Sequence, residues 1–220
     1  LRAALFWGVT ALAGAPGAVA APPEAPAAAP MDTLAVSGPE RLPAPLGPGA
    51  TVTSSFAEYR SGHYHGGVDY STGGSTGLPV AAPGPGRVYR VRASGVGYGK
   101  ALYYRLDDGR TLVYAHLSGF HPRIEEAVRA EQDRLGRYEI DLHPEPGSLR
   151  FEAGDVLMYT GATGAGPAHL HAELRVGPSA SVAVNPAVAG WAVPDEMAPT
   201  LDRLRVEPAA PGAMVNGGLD

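Results

Sequence analysis

The sequence predicts a mainly β fold built from short antiparallel strands, with one short inserted helix. Three observations carry this reading. Of 220 residues, 30 are glycine and 22 are proline, which favours short strands and many turns over a helix bundle. Alternating or β-branched runs recur between those turn signals. One segment, 122–135, breaks the pattern and spaces its apolar residues at a helical period. Hydrophobic residues make up 45% of the chain, enough for a core of ordinary size.

In chain order, Arg2 precedes a small-residue and apolar run over 3–13, and Ala18-Val19-Ala20 resembles a signal-peptidase site. Residues 1–20 therefore read as a signal peptide, and the run is too short for a membrane span. From 21 to 50, Ala, Pro and Gly dominate. Such a stretch buries too little apolar surface to offset its ordering entropy, so it reads as a linker. A folded domain is expected over 51–190. Within it, 51–56, 86–93, 101–106, 111–116, 156–160 and 168–176 read as strands. Asp107-Asp108-Gly109 is the hairpin turn between the third and fourth of them. The helix over 122–135 places Ile124, Val128 and Leu135 on roughly one face, and 138–142 reads as an extra strand. Beyond 185 the pattern fades and proline recurs. Residues 191–220 read as a tail, in which 200–206 has the pattern of the first strand of a second β domain cut short at Asp220.

The formal charge of −5 gives no general electrostatic reason to bind nucleic acid or an anionic membrane. Lys100 is the only lysine, so any basic patch must be built from arginines. With no cysteine, disulfides and thiolate metal sites are excluded, while the compartment stays open.

The histidines cluster. The first group is His63-Tyr64-His65-Gly66-Gly67-Val68-Asp69, the second Tyr114-Ala115-His116-Leu117, the third Ala168-His169-Leu170-His171-Ala172-Glu173. His and Asp are good zinc ligands, and the paired glycines let the backbone turn so that His65 and Asp69 converge. On a strand, positions i and i+2 share a face, so His169 and His171 project together, about 7 Å apart. Each group alone has an ordinary explanation, such as a half-buried surface pair or a hydrogen-bonded core histidine. Three groups in one domain favour a metal site. The pattern by itself leaves open which residues bind and which catalyse.

These motifs resemble those of the lysostaphin-type (LytM-type) zinc metallopeptidases. His65-Gly66-Gly67-Val68-Asp69 is similar to the family's His-x-Gly-x-Asp, Tyr114-Ala115-His116-Leu117 to Tyr-x-His-Leu, and His169-Leu170-His171-Ala172-Glu173 to His-Leu-His-Phe-Glu. Leu78-Pro79-Val80-Ala81-Ala82, Gly86-Arg87-Val88, Gly154-Asp155-Val156-Leu157 and Gly161-Ala162-Thr163-Gly164 resemble its linking segments. The resemblance spans roughly 51–186. It implies a compact antiparallel β-sandwich or barrel-like metallopeptidase domain holding one Zn²⁺. It further implies His65, Asp69 and His171 as metal ligands and His116 and His169 as unliganded catalytic histidines. Three protein ligands leave one tetrahedral position for water, the pattern of a catalytic zinc site. The implied activity is endopeptidase cleavage of peptide cross-links or stem peptides in bacterial peptidoglycan, by an exported protein of the periplasm, cell envelope or extracellular space. The alternative is a catalytically inactive relative that binds cell wall or regulates hydrolases. Such relatives usually lose a ligand, and all five positions are filled here.

Three departures stand out. Ala172 replaces an aromatic residue, Ala168 lies between Pro167 and His169 where the family runs Pro directly into His, and 120–150 is an insertion that either walls the cleft or extends the scaffold. Its His121 and His143 are expected to be exposed, and His143 with Asp141 forms an i, i+2 pair that is a weak candidate for a second metal site. His63 reads as a neighbour of the site, and Glu173 as a supporting group. A lipoyl-type carrier would need a modified lysine, and the Gly97-Tyr98-Gly99 setting of Lys100 does not suit one.

Overall fold

The computed structural model describes residues 41–191. The expected signal peptide, the linker up to residue 40 and the tail from 192 lie outside the described residues. The described elements are β1 (Val52–Ser54), β2 (Tyr59–Arg60), β3 (His63–Tyr64), β4 (Val68–Ser71), β5 (Pro79–Ala81), β6 (Gly86–Ala93), β7 (Ala101–Leu106), β8 (Thr111–Ala115), β9 (Gly119–Phe120), α1 (Pro122–Leu135), β10 (Ile140–Leu142), β11 (Arg150–Phe151), β12 (Val156–Tyr159), β13 (His169–Val176) and β14 (Val182–Val184). The fold is mainly β and its strand pairs are antiparallel. The predicted strands and the helix are present. β2, β3, β4, β5, β9, β11 and β14 are additional to the sequence reading.

The large sheet runs β1-β4-β13-β8-β7-β6-β10, with β11 paired to β6 and β14 to β13. A small sheet, β5-β12-β9, and the β2-β3 hairpin complete the set. Strict alternation decides which face of the large sheet is buried. Leu102 and Tyr104 of β7, Leu112 and Tyr114 of β8, and Leu170, Ala172 and Leu174 of β13 all point into one apolar cluster. Val80, Leu157, Met158 and Phe120 from the small sheet join that cluster, as do Ile124 and Val128 of α1. The core is therefore closed on one side by the large sheet and on the other by the small sheet and helix. In β6 a bulge between Val88 and Arg90 keeps Val88, Val91 and Ala93 in the core and turns the intervening residues outward.

The 120–150 insertion extends the scaffold on this core side. Its helix starts at Pro122, where the His121 side chain accepts a hydrogen bond from the Arg123 N–H, and ends at Gly136 in the left-handed conformation. His121 is half-buried, stacked edge-on against Phe151, because it caps the helix; the expected exposure holds only for His143. Asp141 is held by Arg90 through two hydrogen bonds of 2.6 and 2.5 Å, so its carboxylate is committed to a cation already.

Ahead of β1, Leu42 is buried in the core and Ala44, Leu46 and Ala50 pack against it. The Leu42 N–H donates to the Ala189 carbonyl at 2.7 Å, and the Trp191 indole N–H donates to the Pro43 carbonyl at 3.0 Å. Trp191 also faces Tyr114, the cross-strand partner of Ala172, with ring centroids 6.4 Å apart. An aromatic ring thus reaches this part of the core from the C-terminal side, where Ala172 supplies none.

Gly67 shows how closely the chain before β4 lies on β13. A Cβ there would stand 2.4 Å from the Ala172 carbonyl oxygen and 2.8 Å from Cγ of Glu173. Gly67→Ala is expected to destabilise the domain by about 1–3 kcal/mol, a fall in Tm of roughly 2–10 °C. An unchanged melting midpoint would show that the backbone can yield there.

Candidate metal centre

The site lies on the face of the large sheet turned away from the core. Leu170, Ala172 and Leu174 of β13 enter the core, so His169, His171, Glu173 and Arg175 project to the other side. In β4, Val68 and Tyr70 enter the core and Asp69 between them faces outward. The β4–β13 register sets His171 opposite Asp69, and the β8–β13 register sets it opposite Ala115. Opposed side chains on one face are nearest neighbours across the sheet. His65 arrives from the turn before β4, its backbone held by Ala57 N–H to His65 O at 2.8 Å and His65 N–H to Glu58 O at 2.9 Å.

Three buried atoms converge. His65 Nε2 is 3.0 Å from His171 Nδ1 and 3.1 Å from Asp69 Oδ1, and His171 Nδ1 is 2.8 Å from Asp69 Oδ1. Among the described residues, these three side chains form the group able to share a metal ion. Bonds of 2.0–2.1 Å to a tetrahedral zinc would place ligand atoms about 3.3 Å apart, close to these spacings.

The far atom of each group is also held. His65 Nδ1 lies 2.8 Å from the Ser55 carbonyl. A carbonyl only accepts, so this nitrogen carries the proton and Nε2 presents a lone pair inward. His171 Nε2 lies 2.9 Å from Glu173 Oε1, so in the neutral ring that donates there Nδ1 is the inward lone pair. Asp69 Oδ2 accepts from the Arg60 guanidinium at 2.9 Å, leaving Oδ1 for the centre. Donor type, spacing and ring orientation all fit a divalent cation.

Electrostatics agree. Burial opposes ionisation of Asp69, but its close contacts with His171, His65 and the Arg60 guanidinium outweigh it and hold its carboxyl well below the usual carboxylate range. Burial likewise opposes charge on Glu173, and His171, Arg175 and Tyr98 outweigh it, so this carboxyl too is held low. Burial works against protonation of His171, yet the two carboxylates beside it raise its pKa. The pocket has a net demand for positive charge.

His116 and His169 stand beside this group with ring centroids 4.4 Å apart. His116 directly follows β8 with φ of 62°, a conformation costly for a residue with a Cβ. It is held by its N–H donating to Tyr98 O at 2.9 Å and by Nδ1–H donating to Thr163 O at 2.9 Å. His169 Nδ1 likewise lies 2.7 Å from Pro167 O, and its Nε2 is 3.8 Å from Asp69 Oδ1. Each neutral ring therefore keeps an unprotonated Nε2. Burial lowers the His116 pKa, with the Thr163 contact working the other way. The extra Ala168 is accommodated by the Thr72 hydroxyl, which donates to its carbonyl at 3.2 Å.

All five sequence-predicted residues come together here. His63 does not: it sits exposed on β3 opposite Arg60. Arg60, Tyr98 and Thr163 were not foreseen. Tyr98 donates its hydroxyl to Glu173, and that carboxylate also accepts from Arg175 Nε at 2.5 Å. No local pattern marks Arg60 or Tyr98, and the Gly161-Ala162-Thr163-Gly164 run shows Thr163 but not its contact with His116, because each reaches the site from a separate turn or hairpin.

Residues 63–139 match peptidase family M23. That span takes in His65, Asp69 and His116 and ends before β13. A search of the curated proteins gives no match. Among solved structures, the chain is 24% identical to a mutant catalytic domain of the prophage-encoded M23 protein EnpA from Enterococcus faecalis, with a TM-score of 0.46 over 64% of this chain and 92% of that one. The catalytic domain of lysostaphin from Staphylococcus simulans is 23% identical, with a TM-score of 0.46 over 63% of this chain and 90% of that one. LytU is 26% identical, with a TM-score of 0.45 over 63% and 82%. Over residues 63–139, about a third of the chain, the sequence is thus similar to peptidase family M23.

Proposed function

We propose that this protein is an exported zinc endopeptidase that hydrolyses peptide cross-links or stem peptides of bacterial peptidoglycan. His65, Asp69 and His171 would hold one Zn²⁺, and His116 and His169 would be the catalytic residues. The observation that carries this reading is the meeting of three inward lone pairs, each secured from behind by a different partner. The substrate class rests on the lysostaphin-type motifs.

Zinc, when bound, supplies Lewis acidity, lowering the pKa of water and polarising a carbonyl. The chain's own residues handle the protons. At neutral pH, His116, kept uncharged by its burial, accepts at Nε2 the proton released as water attacks the peptide carbonyl. The proton taken up at His116 Nε2 then passes to the leaving amine, and His169, its ring against that of His116, lines the same edge of the site. The Nδ1 contacts to Thr163 O and Pro167 O keep both rings in the tautomer this exchange needs.

The purified protein is expected to contain about one zinc and to lose cell-wall hydrolysis in chelator; hydrolysis that survives full demetallation would refute the proposal. His171→Ala is expected to lose the metal, whereas His116→Ala should keep it and lose about 10²–10⁴-fold in turnover. Equal zinc loss in both variants would overturn the division of roles. Glu173→Gln should weaken zinc binding by about 10–100-fold, read by competition with a chelating dye. Because the pKa of metal-free His171 is raised, protons should compete with zinc already above pH about 6.5 and increasingly below it. Zinc content that stays constant on dialysis down to pH about 5 would contradict that sign.

A further inference from the structure

The outer face of the large sheet carries a second feature that the metal centre does not use. Arg150 of β11 is the cross-strand partner of Arg87 in β6, Arg87 of Arg105 in β7, Arg105 of Thr111 in β8, and Thr111 of Arg175 in β13. Directly opposed residues share a face, so one ladder row presents four arginines across five strands. The row lies on the same face as the metal-centre residues, since Arg175 alternates with core residues exactly as His171 does on β13. Arg175 stands four positions beyond His171, about 13 Å along the strand, and Arg105 and Arg87 lie two and three strands further across, roughly 16 and 19 Å from His171.

The two outer arginines are neutralised. Arg175 donates to Glu173 at 2.5 Å and Arg150 to Asp107 at 2.7 Å. The two central ones form no close pair: among the described residues neither Arg87 nor Arg105 has a carboxylate oxygen within 4.0 Å, although Arg87 lies near enough to Asp107 to help hold its pKa down. Like charges directly opposed on a sheet repel. Arg105 is nonetheless fixed in place. Its guanidinium lies 3.9 Å from the centroid of the Tyr89 ring and its Nε donates to Thr111 Oγ1 at 3.1 Å, while one terminal nitrogen is buried without a hydrogen-bond partner.

We infer that Arg87 and Arg105 form a carboxylate-binding subsite that selects acidic peptides as substrates. The inference rests on the peptidase reading and deepens it. An extended peptide advances about 3.3–3.6 Å per residue, so a carboxylate held here belongs to a residue roughly five or six positions from the bond at the metal centre. A stem peptide bearing free carboxylates meets that requirement, and a neutral glycine bridge does not. The net charge of −5 makes the rest of the molecule a poor partner for a long polyanion, which confines the preference to a short acidic ligand.

The test measures binding, independent of turnover. A glutamate-bearing hexapeptide, N-methylated against hydrolysis, and its glutamine twin are titrated into the full chain by calorimetry. The acidic peptide is expected to bind at least about tenfold more tightly, a difference that fades with salt and disappears in Arg87→Gln/Arg105→Gln. Equal affinity for the two peptides, or a preference that survives the double substitution, would overturn the subsite. So would inorganic phosphate binding as tightly as the acidic peptide, which would mark a generic oxyanion site. Arg105→Gln also removes the stack on Tyr89, so Arg87→Gln is tested alone. It should abolish most of the preference without lowering Tm, and a clear fall in Tm with no change in preference would make the residue structural. Cell-wall hydrolysis and zinc content are measured on the same samples, so failure of the peptidase reading shows there and failure of the subsite shows in the titrations.

Discussion

The pairing of β13 with β4 is the constraint on which the rest depends. β13 alternates leucine or alanine with histidine, glutamate or arginine, and that single period assigns one face to the core and the other to chemistry. A shift of one residue in its register would drive imidazoles into the apolar layer and turn Leu170 and Leu174 outward. The core therefore holds the site in register. The packing that buries Leu170, Ala172 and Leu174 is also what sets His171 opposite Asp69.

Behind the three converging atoms lies a set of polar contacts that cost burial and return orientation. Glu173 is fully buried and accepts from three side chains at once: His171, Tyr98 and Arg175. Removing one donor would leave the buried carboxylate under-satisfied in a low-dielectric setting, where an unsatisfied charge is expensive. Tyr98 links this network to the second pair of histidines, because its backbone carbonyl receives the N–H of His116. The strained φ of His116 is thus held by contacts on both sides of the residue, from Tyr98 and from Thr163.

Much of this was legible in the sequence, and the boundary between what was and was not has physical causes. Long periodic segments declared themselves: β6, β7 and β8 and the helix with Ile124 and Val128 all lie where the pattern put them. β4 escaped notice because Val68–Ser71 is four residues long and bracketed by glycines, too short to show alternation. The two-residue strands β2, β3, β9 and β11 have no period at all and exist only through their partners. At the site, His65, Asp69, His116, His169 and His171 were recoverable because short spacing carries their chemistry. Arg60 and Tyr98 were not, since their roles arise when distant turns are folded against the sheet. The arginine row is a similar case: Arg87, Arg105, Arg150 and Arg175 are scattered in sequence and become neighbours only through strand register.

The clasp between the segments at either side of the described region has a mechanical meaning. Leu42 is tied to Ala189, and Trp191 to Pro43, so the chain enters and leaves the domain at one place. Tension transmitted along the polypeptide would be borne first by those two hydrogen bonds and the buried indole. The strands that carry the histidines lie outside that line of force. A domain attached in this way can be tugged by whatever it is tethered to while its reactive groups stay undistorted.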